Sequence, residues 1–189
     1  ASSGSLTLSA TGATVFSGNA RLKCTGAGAL SVRNSGDTAD GSLTALDVVQ
    51  TNNKRVTTQF DVSSSTTLAN ITGLSATVVA GATYAFEAVL YTTSDVAAGI
   101  KAGIGGTATA TSIIYDGVAI RSAVTKSRAT ALGTAVAAVT AETVALVTIK
   151  GTITVNAGGT LTVQFAQNAS NVANSSVLVG STFILNRIS

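Results

Sequence analysis

Residues 144–167 alternate in hydropathy with a period of two, and this pattern constrains the chain more than any other feature. Val144, Leu146, Thr148 and Lys150 alternate with Ala145, Val147 and Ile149; past Gly151, Ile153 and Val155 alternate with Thr152 and Thr154. Successive side chains of a strand point to opposite faces of a sheet, so this run predicts a strand and not a helix. Which face of 143–149 turns inward stays open, with Leu146 and Val147 as the rival core residues. Asn156-Ala157-Gly158-Gly159 follows, its glycines able to take φ > 0, and then Leu161, Val163 and Phe165 alternate with Thr162, Gln164 and Ala166. Strand, glycine turn, strand predicts a hairpin.

The same period recurs along the chain. Tyr84, Phe86, Ala88 and Leu90 share one face of a strand that follows a turn at Ala80-Gly81. Residues 107–115 are β-branched and end at Asp116-Gly117, which predicts a second hairpin with 118–124 returning. Phe183, Leu185 and Arg187 alternate at the C-terminus, and 57–60 and 68–74 are shorter candidates. Short helices are expected only at 93–98 and 129–138. Strands at this spacing, rich in Thr and Val, predict an all-β fold: a jelly-roll-like antiparallel β-sandwich over residues 54–189. Its expected core is Tyr84, Phe86, Leu90, Leu146 or Val147, Ile153, Val155, Leu161, Val163, Phe165 and Phe183.

Residues 1–53 read differently, as an extended β-rich arm or stem with a soft boundary near Asn52-Asn53. Its apolar residues (Leu6, Leu8, Val15, Phe16, Leu22, Leu30, Val32, Leu43, Leu46 and Val48) are sparse. Each contributes about 1.5–3 kcal/mol when fully buried, against about 1–2 kcal/mol of backbone entropy per ordered residue. Such an arm has to lean on the main domain or on other copies of the chain, so it is expected to carry assembly contacts.

Composition bears on function by what it lacks. The chain has no His, Pro, Met or Trp and one Cys, with charged residues at 10% and aromatics at 4%. Without His there is no imidazole to activate a serine or to bind a metal, and Ser-x-x-Lys precedes none of the lysines. The carboxylates Asp37, Asp40, Asp47, Asp61, Glu87, Asp95, Asp116 and Glu142 show no spacing that points to a glycosidase pair. Asp37-Thr38-Ala39-Asp40-Gly41 lacks the alternating ligands and late Glu of a calcium loop and reads as a polar turn. Gly103-Ile104-Gly105-Gly106 matches no phosphate loop and reads as a strand with a bulge or a close backbone approach. Lone Cys24 reads as a small thiol, with an interchain disulfide as the sharper alternative. The expectation is a non-enzyme with no catalytic, metal or cofactor-binding residues and no cofactor.

The formal net charge of +3 comes with little clustering. Lys54-Arg55 is the adjacent basic pair and Arg121, Lys126 and Arg128 a loose cluster, so no nucleic-acid partner is expected. The stretch 129–149 passes for a membrane span on length, but it holds Glu142, Gly133 and several Thr and reads better as strands, so no membrane partner is expected either. No basic and then apolar leader is seen at the start.

Two stretches carry a family likeness. Leu30-Ser31-Val32-Arg33-Asn34-Ser35-Gly36-Asp37-Thr38-Ala39-Asp40 resembles a segment of bacteriophage tail-fibre and other virion proteins. From Lys54 onward the chain resembles a β-rich domain of phage structural proteins, through Thr66-Thr67-Leu68, Ile71-Thr72-Gly73-Leu74, Ala80-Gly81-Ala82-Thr83-Tyr84-Ala85-Phe86-Glu87, Ile149-Lys150-Gly151-Thr152-Ile153, Phe165-Ala166-Gln167-Asn168 and Gly180-Ser181-Thr182-Phe183. The resemblance implies a component of the virion surface, a homotrimer of jelly-roll-like domains, on the capsid as a decoration (cement) protein or on a short fibre. The partners it implies are the chain itself, other virion proteins such as major capsid or tail proteins, and a host surface glycan if the chain is the receptor-binding end of a fibre. It brings no catalytic residues. A bacterial pilin or surface-layer subunit fits the same composition.

Overall fold

The computed structural model describes residues 21–26, 29–33, 51–140 and 143–189. By contacts the chain divides into two units, Ala1–Val48 and Val49–Ser189. In the first, β1 (Arg21–Gly26) pairs antiparallel with β2 (Ala29–Arg33), with a register shift between Cys24 and Gly26. Leu22, Leu30 and Val32 fall on these strands; the remaining arm anchors and the acidic turn at 37–41 lie outside the described residues.

The second unit is an antiparallel β-sandwich whose described residues contain no helix. Its strands are β3 (Thr51–Arg55), β4 (Phe60–Val62), β5 (Ala69–Val78), β6 (Thr83–Thr93), β7 (Ile100–Gly106), β8 (Thr109–Ile120), β9 (Val124–Ala129), β10 (Ala135–Val139), β11 (Val144–Ala157), β12 (Gly159–Ala166), β13 (Ser175–Val177) and β14 (Thr182–Arg187). One sheet has the order β3-β14-β6-β11-β8-β9, with β13 joining β6 to β4; the other has the order β10-β7-β12-β5. From β5 to β12 every connection except β8–β9 crosses from one sheet to the other. β3 spans Asn52-Asn53 and belongs to the larger sheet through β14.

A single core fills the space between the sheets. The larger sheet supplies Tyr84, Phe86, Leu90, Tyr115, Val147, Ile149, Ile153, Val155, Phe183 and Leu185, and the smaller supplies Ile71, Leu74, Ile100, Ile104, Leu161, Val163 and Phe165, all buried. Every expected core position is therefore inside, and the open choice falls on Val147, with Leu146 half-buried on the opposite face. Parity decides it: 147, 149, 151, 153 and 155 share one face of β11, and Ile153 and Val155 must be inward.

Gly151 occupies an inward position at the middle of that row, in register with Phe86 on one side and Tyr115 on the other. A Cβ there would lie 2.8 Å from Phe86 Cζ and would also strike Ile114 O and Tyr115 Cβ. The glycine thus makes room for the aromatic group at the centre of the core. Phe86 leans on Tyr115 at 6.2 Å between ring centroids and on Phe183 at 6.4 Å, both tilted.

Several local expectations are corrected. The residues flanking Asn156-Ala157-Gly158-Gly159 form strands but not a hairpin: β11 pairs with β6 and β8, whereas β12 pairs with β5 and β7. The connection carries the chain between sheets. Gly158 and Gly159 do not take φ > 0; a Cβ on Gly159 would sit 2.8 Å from Ala108 N, so close approach is what needs glycine there. Asp116-Gly117 is not a turn. β8 runs straight through it, and the reversal comes at 121–123, between Ile120 and its partner Val124. Gly117 lies under β10, where a Cβ would run into the Val136 side chain. The helices expected at 93–98 and 129–138 are absent. The first is a turn organised by Asp95, whose carbonyl accepts from Ala98 and Gly99 N–H and whose carboxylate accepts from Ala97 N–H. The second is the end of β9, a turn and β10. The strand expected at 57–60 is displaced to β4.

Candidate functional site

The Gly103-Ile104-Gly105-Gly106 run lies on β7 inside the smaller sheet. A Cβ on Gly103 would meet Thr134 O at 2.8 Å, and Gly106 sits at φ 125. This is the close backbone approach expected from the sequence. Loop residues Leu68 and Thr134 cover this part of the sheet's outer side.

Two open clefts mark the surface. One is lined by residues 108–113 and 130–132, the other by 66–68 with Lys101, Gly133, Ala135 and Gln164. The first holds no titratable side chain and the second holds only Lys101. Among the described residues no group of three or more His, Cys, Asp or Glu side chains gathers, and no helix is long and apolar enough to cross a membrane.

The outer face of the larger sheet is where charge and exposed apolar surface meet. β6, β11, β8 and β9 lie side by side, and their registers align the outward residues into rows. One row is Glu87–Lys150–Asp116–Arg128, an alternating ladder of acid, base, acid and base. Lys150 Nζ is 3.0 Å from Glu87 Oε1. Arg128 grips Asp116 with two bonds, Nε donating to Oδ1 at 2.6 Å and Nη2 to Oδ2 at 2.8 Å. Two rows away, Tyr91, Leu146, Ile120 and Val124 line up across the same four strands. Tyr91 is 50% exposed, Ile120 46% and Val124 61%, and Val144 beside them 63%. The row between holds Val89, Thr148, Val118 and Lys126.

Of the loose basic cluster noted in the sequence, Lys126 and Arg128 thus stand on this face and Arg121 falls in the reversal between β8 and β9, while the Lys54-Arg55 pair lies on the edge strand β3. The ladder was not legible in the sequence, because its four residues are scattered over 87–150 and only strand register collects them. Glu87 and Asp116 flank Lys150 in the ladder. Asp116 is held below the usual carboxylate range by its hydrogen bond to Arg128, with the guanidinium charge adding to it. That is the opposite of the raised value a general acid needs. Arg128 is correspondingly raised by the Asp116 hydrogen bond. Tyr115 is raised by burial, and its hydroxyl donates to Thr134 O at 2.6 Å, tying β8 to the loop before β10.

The Asp116 shift has a direct check. A carboxylate with a depressed folded value stabilises the fold above its unfolded value near 3.9, and this contribution fades as pH falls through the folded value. In an NMR titration, the Asp116 carboxyl is expected to have a midpoint below that of a free Asp. Arg128→Gln is expected to return it toward the ordinary value; an unchanged midpoint would mean the guanidinium is not the cause.

No family model, curated protein or solved structure matches the chain.

Proposed function

We propose that the chain is a non-enzymatic structural protein of a bacteriophage virion surface, a capsid decoration protein or short fibre, that works through subunit–subunit contacts. The observation that carries this reading is the outer face of the larger sheet. It is an open four-strand surface of paired charges and exposed apolar side chains, and such a surface suits docking better than turnover. The fold supports the same reading. Its sheet orders β6-β11-β8-β9 and β5-β12-β7-β10, with a crossing at every step except β8–β9, correspond to the wiring of an eight-strand jelly roll, an architecture common in capsids.

Low charge favours crowding many identical copies in a shell, since little self-repulsion accumulates. Residues 1–53 are the proposed threefold contact, adding strands across subunits to cover what the arm cannot bury alone. A receptor-binding fibre tip is the weaker reading. Of the described aromatic residues Tyr84, Phe86, Tyr115, Phe165 and Phe183 are buried and Phe60 is partly buried, so Tyr91 is the exposed one. A stacking platform for a glycan needs more than one ring.

Cryo-electron microscopy of the particle that carries this chain tests the proposal. The expected result is sandwich density repeated on the capsid surface or along a short fibre, in threefold groups. Particles without such density, or turnover of a bacterial glycan lost on changing one carboxylate, would overturn it.

A further inference from the structure

We infer that the outer face of β6, β11, β8 and β9 is a two-fold interface with a second copy of this chain. The charge ladder is complementary to its own reversal. Consider a two-fold axis lying in the interface, parallel to the strands and between β11 and β8. It reverses the order of the strands while keeping position along them. The ladder of acid, base, acid, base then meets its own reversal. Glu87 faces Arg128 of the second copy and Lys150 faces its Asp116, so each of the four charges gains an opposite partner in addition to the one it has.

The same axis lays apolar on apolar. Tyr91 faces Val124 of the second copy, and Leu146 faces its Ile120. In the row between, Thr148 faces Val118, and Lys126 at the edge strand runs its stem along Val89. An axis turned by a right angle, along the ladder, would set every charge against its own copy. A ladder with an odd number of rungs would set like charge against like under either axis. The alternation and the even count therefore single out one orientation, and a C2 contact is the commonest form of homo-oligomer.

The size of the face sets the expected strength. Four strands about 4.8 Å apart and three rows about 6.8 Å apart cover roughly 400 Å² per copy. Twice that is about 800 Å², the size of a weak and transient contact, so association is expected only at high chain concentration. Sheets packed face to face also cross at about 30° because each is twisted, so the contacts nearest the axis, Lys150–Asp116 and Leu146–Ile120, are the ones held best. Within residues 49–189 this face differs from the smaller sheet, whose outer side is partly covered by Leu68 and Thr134. The two-fold contact uses residues on β6, β8, β9 and β11, and the proposed threefold contact uses residues 1–53, so neither depends on the other.

Charge-swapped variants of the full chain test this by light scattering, at concentrations on the order of 100 µM, above the micromolar range of modest interfaces. K150E/R128E makes the ladder wholly acidic and E87K/D116K makes it wholly basic. The expected wild-type mass is an even number of chains: six if the threefold contact of the proposed function also holds, two if it does not. Each double variant alone is expected to show half the wild-type mass, and an equimolar mixture to regain it. A wild-type mass of one or three chains overturns the inference. So do variants that keep the wild-type mass, or a mixture that stays at half. Should either double variant lose its strand circular dichroism, Val124→Glu decides, because it leaves the ladder intact and places a charge opposite Tyr91 of the second copy. Halved mass supports the interface, and unchanged mass overturns it.

Discussion

Val147→Asp is expected to abolish the folded state, while Leu146→Asp one residue away leaves it standing. Val147 is fully buried, in register with Leu90 and Ala119 and part of the core between the sheets. A carboxylate there has no partner, and burying an unpaired charge costs several kcal/mol even after the group neutralises itself. That is comparable with the total stability of an ordinary domain, about 5–15 kcal/mol. Leu146 points the other way, half-buried between Tyr91 and Ile120 on the outer face. Its replacement loses some cross-strand contact, about 1 kcal/mol. Urea unfolding followed by circular dichroism checks the contrast. Similar midpoints for the two variants would mean that the parity of β11 is wrong.

Gly151→Ala is expected to lower stability by about 1–2 kcal/mol, although strand propensity alone predicts a gain. In a strand interior Gly is worse than Ala by roughly 0.5–1 kcal/mol, so an unconstrained site would improve. Here the added methyl meets the backbone carbonyl of Ile114, Tyr115 Cβ and the ring edge of Phe86. The ring can tilt, but the carbonyl belongs to β8, which is paired on both sides by β11 and β9 and cannot move without disturbing those ladders. Overpacking of this kind costs about 1–3 kcal/mol, and here it outweighs the propensity term. At about 2–4 °C per kcal/mol for a chain of this size, thermal unfolding is expected to fall by roughly 2–8 °C. The ring contribution is separable. In Phe86→Ala/Gly151→Ala the clash with Ile114 remains, so the second substitution is still expected to destabilise. If the double variant equals Phe86→Ala alone, the ring and not the neighbouring strand is what requires glycine.

The residues that specify period two also specified most of the core. Tyr84, Phe86, Ile153, Val155, Leu161, Val163 and Phe183 announce an inward face by alternation, and the pleat of a strand leaves them no other place. Absence was legible in the same way: a chain without His offers no imidazole whatever its fold. Pairing was not legible. Asn156-Ala157-Gly158-Gly159 looks like a hairpin turn because glycine chemistry is the same whether the chain reverses within one sheet or crosses to the facing one. Asp116-Gly117 looks like a turn because a glycine demanded by Val136 across the core is written with the same letter as one demanded by φ. Both cases turn on what packs above the residue, which is set by strands distant in sequence.

The candidate interface lies at the far end of that scale. Glu87, Asp116, Arg128 and Lys150 carry no motif and no common spacing. They become a ladder only when three antiparallel registers are in place, and a slip of one residue in any of them would send a rung to the core side. Local alternation and residue types are enough to specify that this chain is made of strands, which side chains those strands bury, and that it carries few titratable groups. Which strands are neighbours, and with them the charge order on the outer face, follows from the fold alone, because register is a property of pairs of strands and is held by the packing of the whole core.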